Sequence, residues 1–240
     1  MKLSATGHVV LEAKDDADFA VDQLIANGYP DDFCLCPVMD PAFVSRLMVS
    51  GFLVMSTRIH GSVVKSGTIL LPKLHTQRLV LSPGAVHEPR SVKRLLGRYE
   101  LRSYTDFDAI LRACVRTHGD DWLTPELCAI LSDLHGAAMM DPKNTAPGAK
   151  PASFALYREG ALVAGEIGIM VGRAYTSYSG FRLEDSAGTV QLVLTGRFLK
   201  ESGFSLWDLG MPMAYKERLG ARTVDRAEFI SLFRFARSRV

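Results

Sequence analysis

Polar and apolar positions in the first third of the chain predict two helices followed by short strands. In residues 16–27, apolar residues recur among acids with a helical period and stop at Asn27-Gly28. Asp40-Pro41 predicts a second helix that ends near Gly51, with Asp40 as its N-cap. Three short strands separated by glycine and proline are predicted next, at Phe52–Thr57, Thr68–Leu71 and Arg78–Leu81. The pattern predicts a small α+β domain over residues 1–84.

The segment after Ser82-Pro83-Gly84 begins with helices. Ser91–Leu96 predicts a short basic helix, and Thr105-Asp106-Phe107-Asp108 resembles a capping box at the start of a longer one. Thr124-Pro125-Glu126 is a clearer start signal, with an N-cap, a proline and an acid in the first turn. Met139–Pro151 has three prolines and no periodicity, so we expect a surface loop there.

The remaining pattern is that of an antiparallel meander, a long helix, a strand and two more helices. These elements are predicted at Ser153–Arg158, Leu162–Val171, Ala174–Ser179, 188–202, Phe204–Leu209, 213–219 and 226–238. Their order is that of the acyltransferase fold best known from acetyl-CoA-dependent N-acetyltransferases. We therefore expect an α+β protein with an N-acetyltransferase-like (acyl-CoA N-acyltransferase-type) domain over residues 85–240.

The composition is that of an ordinary globular chain, with 48% hydrophobic and 22% charged residues. The cysteines match no zinc pattern and are interpreted as structural thiols: Cys34, Cys36, Cys114 and Cys128. We expect neither a metal nor a cofactor. The sequence starts without an apolar leader and has no run long enough to span a membrane, which predicts a soluble cytoplasmic protein.

Charge is unevenly distributed although the net charge is only +2. Residues 12–32 are acidic, whereas residues 87–102 and 216–240 are basic. Basic clusters of this kind can mark a phosphate-binding face. A solvated helix face with no partner explains the same pattern, and charge alone does not separate the two.

The stretch Trp207-Asp208-Leu209-Gly210 is the most informative for chemistry. Asp208 lies near the end of an apolar strand, and ligands of mixed sheets favour the carboxyl ends of strands. A carboxylate there can orient an attacking amine or take its proton. The alternative is an Asp208 that caps the next helix or pairs with a nearby arginine.

Two further positions have both a functional and a structural interpretation. Trp122 precedes a helix start, where it lines a pocket or packs in the core. Glu166 lies between Gly165 and Gly168, which indicates either close approach of a ligand or a bulge with Glu166 facing solvent. The loop 182–189 has one glycine and two acids, which argues against binding of a CoA pyrophosphate.

Several segments together resemble the leucyl/phenylalanyl-tRNA–protein transferases, from roughly Asp40 to the C-terminus. The segments that carry the resemblance follow the order of that family: Val86–Arg94, Asp121–Glu126, Glu159–Gly168, Leu206–Gly210 and Leu219–Ala221. The resemblance implies transfer of Leu or Phe from aminoacyl-tRNA to the N-terminal amine of an acceptor protein. It also implies two domains, of which the second has the N-acetyltransferase-like fold.

The resemblance implies roles for individual residues. Asp208 matches the active-site aspartate of the family, and backbone amides around Leu209–Met211 are expected to bind the oxyanion. The expected aminoacyl and peptide pocket consists of Trp122, Glu166, Ser177, Ser179, Gly210 and Met211. The expected tRNA contacts are Arg90, Lys93, Arg94 and Arg98.

This chain departs from the family at positions on the acceptor side. Gly210 replaces a glutamine, Ser177 replaces a glutamate, and Leu70-Leu71 replaces a pair of tryptophans. The acceptor therefore stays open. An acyl-CoA-dependent N-acyltransferase and a non-catalytic tRNA- or peptide-binding module are the alternatives, and the chain is expected to be a monomer.

Overall fold

A seven-stranded mixed sheet forms the centre of the protein. The structure, a computed structural model, describes residues 1–59, 67–140 and 148–239, so residues 141–147 of the expected surface loop lie outside the described part. The strands of the described chain, inside and outside this sheet, are β1 Lys2–Leu3, β2 Val9–Val10, β3 Leu53–Ile59, β4 Gly67–Lys73, β5 Gln77–Leu81, β6 Glu100–Ser103, β7 Lys150–Arg158, β8 Ala161–Val171, β9 Ala174–Arg182, β10 Leu206–Asp208 and β11 Arg222–Asp225. Its α-helices are α1 Ala17–Ala26, α2 Pro41–Val49, α3 Arg90–Lys93, α4 Phe107–His118, α5 Pro125–Met139, α6 Ala187–Glu201, α7 Ala214–Glu217 and α8 Arg226–Arg237.

The central sheet has the strand order β11-β5-β10-β9-β8-β7-β6. Strands β7, β8 and β9 form the predicted antiparallel meander, and β10 then pairs parallel to β9 after the long helix α6. Glu159-Gly160 turns the chain between β7 and β8, both residues with positive φ. This arrangement confirms the expected α+β class and the N-acetyltransferase-like order.

Strands β9 and β10 separate partway along the sheet. They pair only from Leu206 opposite Ala174 to Asp208 opposite Thr176, while β9 continues to Arg182. Beyond Asp208 the chain follows β5 instead, because the Leu209 amide donates to the Leu79 carbonyl at 2.8 Å. We call the resulting gap the β9–β10 opening. It lies at the carboxyl end of β10, where mixed sheets tend to bind ligands.

Helices cover both faces of the sheet. On β8, Ile167, Ile169 and Val171 pack in the apolar cluster that includes α4 and α5, whereas Met170 packs in the cluster that includes α6. Side chains of a strand point alternately to its two faces, so this division follows from the strand period. Opposite Ile167 and Gly168, β9 has one extra residue, Tyr178, so the pairing of β8 with β9 shifts register beside the opening.

The predicted boundary near residue 84 is crossed by the sheet itself. Strand β5 precedes it in sequence, yet pairs with both β10 and β11. The division into residues 1–84 and 85–240 stays a prediction.

Most helix ends lie where the local sequence signals predicted them. The Asp40 carboxylate accepts from the Phe43 amide at 2.7 Å, as expected of an N-cap. The capping box at Thr105–Asp108 is wrong, because Asp106 has a φ of 57° and its carboxylate accepts from Tyr157 Oη. The predicted basic helix at Ser91–Leu96 is shorter, and a 3-10 turn at Leu96–Arg98 follows it.

Two edge strands of the sheet, β6 and β11, were not predicted from the pattern. Within the described part of the chain, no helix combines the length and apolar character that a membrane crossing requires.

Candidate active site

Asp208 is completely buried and paired with Arg78 on the neighbouring strand β5. Arg78 Nε donates to Asp208 Oδ1 at 2.8 Å and Arg78 Nη2 donates to Oδ2 at 2.7 Å. The Arg78 guanidinium also stacks on the Phe229 ring of α8, 4.6 Å from its centroid. The structure thus shows the arginine partner that the sequence left open, and the helix-capping alternative is wrong because Met213 is the N-cap of α7.

Gly210 closes the remaining side of the Asp208 carboxylate. Its amide donates to Asp208 Oδ1 at 2.9 Å, and its φ of +79° is a conformation that favours glycine. A Cβ at this position would meet open space, so backbone strain rather than crowding disfavours a larger residue. The amides of Leu209 and Gly210 both donate within the fold, so the expectation that amides around Leu209–Met211 bind the oxyanion is wrong at these two residues.

A second carboxylate, Glu166, lies beside the β9–β10 opening. Glu166 is buried, with 6% of its surface exposed, so the expectation of a solvent-facing side chain is wrong. Its Oε1 accepts from Tyr175 Oη at 2.7 Å and from Ser177 Oγ at 3.0 Å. Burial raises the pKa of Glu166, while Tyr175, Lys216 and Ser177 act in the opposite direction. A carboxyl group with a raised pKa is a suitable acceptor for a proton from an amine.

The glycines beside Glu166 make room for side chains rather than for a ligand. A Cβ on Gly168 would lie 2.2 Å from the Tyr175 hydroxyl, and a Cβ on Gly165 would lie 2.7 Å from Ile110. The bulge that the sequence suggested for β8 is wrong, because the extra residue opposite Ile167/Gly168 is Tyr178 of β9. Gly168 therefore permits the Tyr175 ring to reach Glu166.

Ser177 connects Glu166 to β10. Trp207 Nε1 donates to Ser177 Oγ at 2.9 Å, and Ser177 Oγ in turn donates to Glu166 Oε1. Trp207, Tyr175 and Ser177 are all buried. The hydrogen-bond chain fixes the Glu166 carboxylate at the place where β9 and β10 separate.

Lys216 enters the same region from α7. Its Nζ donates to the Leu209 carbonyl at 2.8 Å. Burial lowers the pKa of Lys216, whereas the negative charges of Glu166 and Asp208 raise it. A cation at the end of β10 therefore lies within electrostatic range of both carboxylates.

The other expected pocket residues lie around this cluster rather than in it. Trp122 is half-buried and packs on Tyr178, with ring centroids 5.9 Å apart. Ser179 is buried beside Cys114, whose pKa burial raises to about 12. Met211 is 50% exposed and forms apolar surface next to the opening. The structure joins Asp208 to Gly210 and Glu166 to Ser177 by hydrogen bonds, and places Trp122, Ser179 and Met211 farther out.

The two basic clusters of the sequence differ in whether acidic side chains pair with them. Arg234 and Arg237 of α8 pair with Asp18 and Asp22 of α1, so the C-terminal basic and N-terminal acidic clusters partly neutralise each other. The four expected tRNA contacts are exposed, and no carboxylate among the described residues lies within ion-pair distance of them: Arg90, Lys93, Arg94 and Arg98. This surface has the character that a polyanion requires.

Comparison with protein families places this site in a known context. Residues 80–234, from β5 to α8, match the family model described as leucyl/phenylalanyl-tRNA protein transferase. The chain belongs to this family. The matched segment includes Asp208, Glu166, Ser177 and Lys216 together with the exposed basic surface.

Individual relatives have the same name. The leucyl/phenylalanyl-tRNA–protein transferase of Pseudomonas entomophila is 34% identical over 157 residues, which are 63% of this chain and 65% of that protein. That of Azotobacter vinelandii is 31% identical over 157 residues, with the same coverage of 63% and 65%. The chain thus spans about 65% of the length of the relatives that it matches.

Solved structures are similar at a lower level. FemX aligns with 90% of this chain and 78% of its own, with a TM-score of 0.48 and 10% sequence identity. A tandem GNAT protein from the clavulanic acid biosynthesis pathway aligns with 87% of this chain and 68% of its own, with a TM-score of 0.34 and 11% identity.

Three residues of the site were not predicted from the sequence. Arg78 was visible only as a charged residue at the start of a predicted strand, Tyr175 as one aromatic of another, and Lys216 as one of several cations near the C-terminus. A charge inside an apolar strand is the one usable signal among these, because burying it requires a partner.

Proposed function

We propose that this chain transfers an aminoacyl group, Leu or Phe in type, from aminoacyl-tRNA to the N-terminal α-amine of an acceptor protein. The observation that carries the proposal is the coincidence of the family match with the buried Glu166 cluster at the β9–β10 opening. Both strands that border the opening lie inside the matched residues 80–234.

The chemistry needs a positioned amine and a place for its proton. The aminoacyl ester is already activated, so orientation of the two reactants supplies much of the rate enhancement. An α-amine has a pKa of about 8 and is largely protonated at neutral pH, so it must lose a proton before it attacks. Glu166 takes that proton, which its burial and raised pKa favour.

Asp208 acts in this proposal as a positioning residue. Its carboxylate is surrounded by Arg78 and the Gly210 amide, which suits it to orient the end of β10 rather than to contact the amine itself. We propose that Trp122, Ser179 and Met211 form the wall of the aminoacyl and peptide pocket.

The acceptor side differs from the family in a way that the geometry explains. Ser177 stands where the family has a glutamate, and its hydroxyl donates to Glu166 of the adjacent strand. A carboxylate therefore remains at this place although it comes from β8. We propose that Glu166 receives the acceptor ammonium, which leaves the rest of the acceptor's N-terminal residue to be read by other contacts.

The tRNA is held by the exposed basic surface of Arg90, Lys93, Arg94 and Arg98. Because these side chains are exposed, their contribution depends on phosphate contacts that release counterions, and affinity should fall steeply with salt. The protein acts as a cytoplasmic monomer that requires no cofactor.

An acyl-CoA donor is not favoured. The loop before α6 contains Glu184 and Asp185, and Glu184 pairs with Arg158 at 2.7 Å. Acidic side chains at this place repel a pyrophosphate, which a glycine-rich loop would otherwise hold by its amides.

A transfer assay over donors and acceptors tests the proposal. Labelled Leu-, Phe- and Met-tRNA are each incubated with the protein and peptides of every N-terminal type, and modified peptides are identified by mass. We expect at least one peptide to gain one aminoacyl residue. Binding of tRNA without modification of any peptide would support the non-catalytic module instead, and tight binding of acetyl-CoA in a calorimetric titration would support the acyl-CoA alternative.

A further inference from the structure

Acyl transfer creates a negative charge that the Leu209 and Gly210 amides are not free to hold. When an amine attacks an ester carbonyl, the oxygen becomes negative, and donors aimed at that oxygen lower the barrier. The Leu209 amide already donates to Leu79, and the Gly210 amide donates to Asp208. A donor other than these two amides would have to hold the charge.

Lys216 is placed where such a donor is useful. Its ammonium has three N–H groups, and one of them donates to the Leu209 carbonyl at 2.8 Å. The side chain is half-buried, and its charge interacts with Glu166 on one strand and Asp208 on another. A cation in a poorly solvated site stabilises a developing anion more strongly than one in water.

The position of the ammonium depends on Asp208. The Leu209 carbonyl that holds Lys216 belongs to a backbone segment fixed by the Leu209–Leu79 and Gly210–Asp208 hydrogen bonds. Arg78 in turn holds Asp208. The buried ion pair therefore sets the place of a group that can contact the substrate, without contacting the substrate itself.

We infer that Lys216 Nζ is a catalytic group that stabilises the negative charge on the ester carbonyl oxygen during aminoacyl transfer. This inference rests on the proposed function. Glu166 takes one proton from the acceptor ammonium, the free amine forms the C–N bond, and the carbonyl electron pair moves to the oxygen beside Lys216. When the C–O bond to the ribose breaks, the ribose oxygen leaves with the second proton of the nitrogen, and an amide remains.

Single-turnover transfer with Lys216→Met tests the inference. Loss of one oxyanion donor lowers the rate constant about 100- to 1000-fold. The dissociation constant for aminoacyl-tRNA and the KM for peptide should stay within about threefold of wild type, because the charge acts in the transition state. Lys200→Met on α6 is the matched control and should transfer at the wild-type rate, since Lys200 lies on an exposed part of that helix.

Lys216→Arg keeps the cation and provides a second readout. Because burial lowers the pKa of Lys216, wild-type transfer should decline at alkaline pH as the ammonium loses its proton, and this decline should be absent in Lys216→Arg. The charged or titratable groups around Lys216 are Glu166, Asp208, Arg78, Tyr175 and Tyr215. Both tyrosines have a raised pKa, so the decline is assigned to Lys216.

The possible outcomes distinguish failure of the inference from failure of the proposed function. A Lys216→Met rate within threefold of wild type would overturn the inference and leave the proposed function standing. A rate that falls together with tRNA affinity and stability, with no recovery in Lys216→Arg, would show a structural lysine. Absence of transfer by the wild-type protein with every donor would overturn the proposed function and the inference with it.

Discussion

Three donors surround the carboxylate of Asp208: Arg78 Nε, Arg78 Nη2 and the Gly210 amide. A carboxylate held in this way has little freedom to reach a substrate, whereas Glu166 has only Oε1 engaged by Tyr175 and Ser177. At the scale of single residues, we therefore propose that Glu166 carries the chemistry and that Asp208 is a positioning residue.

Asp208→Asn should destabilise the protein by about 3–5 kcal/mol, because it leaves the buried Arg78 guanidinium without its counter-charge. Urea unfolding measures this loss. Asp185→Asn is the control: Asp185 is fully exposed, so the unfolding midpoint should stay at the wild-type value.

The same substitution separates a role in transfer from a role in tRNA binding. At a temperature where Asp208→Asn stays folded, its transfer rate should fall far more than its tRNA affinity, because Lys216 loses its fixed position. Equal losses in both would contradict the positioning role.

His75 should make stability depend on pH. Burial is the main cause that lowers its pKa from 6.5 to about 4, helped by Arg78 and opposed by Asp32. The unfolded chain then binds a proton at higher pH than the folded one, so the stability that the neutral ring provides is present above 6.5 and lost as pH falls toward 4.

The expected loss from His75 over this range is about 3 kcal/mol. Unfolding by urea at several pH values measures it, and His75→Gln should give a flatter profile. An identical slope in both proteins would contradict the assignment to His75.

At the scale of elements, the sequence predicted the features that depend on residues close together in the chain. The Asp40 cap, the stop after α1 and the β7–β9 meander all depend on residues a few positions apart. Strands β6 and β11 were not predicted because they are edge strands of only four residues, formed by pairing with distant partners. The Asp208–Arg78 pair escaped for the same reason, since 130 positions separate the two residues.

Gly168, beside the register shift between β8 and β9, gives a prediction at this scale. Gly168→Ala places a methyl group within 2.3 Å of the Tyr175 ring, which is completely buried and has to move away from Glu166. We expect a destabilisation of about 1–3 kcal/mol and reduced transfer.

Gly97→Ala is the control for Gly168→Ala. A Cβ at Gly97 meets nothing within 4 Å, so stability should stay at the wild-type level. If Gly168→Ala kept full stability and full transfer, Gly168 would not be what admits Tyr175.

At the scale of the whole molecule, α8 near the C-terminus forms hydrogen bonds and an ion pair with residues of the N-terminal third. Arg226 donates to the backbone carbonyls of Tyr29, Asp31 and Leu74, and Arg237 pairs with Asp18. With β5 inside the central sheet, these contacts favour a single cooperative unit over two independent domains.

Arg226→Met should cost at least about 2 kcal/mol, because three carbonyls lose a charged donor. Urea unfolding followed by tryptophan fluorescence and by far-ultraviolet circular dichroism should still show one coincident transition. Arg222→Met is the control, since Arg222 forms an exposed pair with Glu228 and contributes little. Two separate transitions would support the division at residue 84.

Transfer by wild type and Glu166→Gln in a single turnover tests the central claim most directly. Leu- or Phe-tRNA is bound to each protein, acceptor peptide is added, and the rate of peptide modification and the tRNA dissociation constant are both measured. We predict that wild type modifies the peptide, and that Glu166→Gln is slower by at least about 100-fold with unchanged tRNA affinity, because the proton acceptor is gone. Equal rates in the two proteins, or no modified peptide with wild type, would contradict the account.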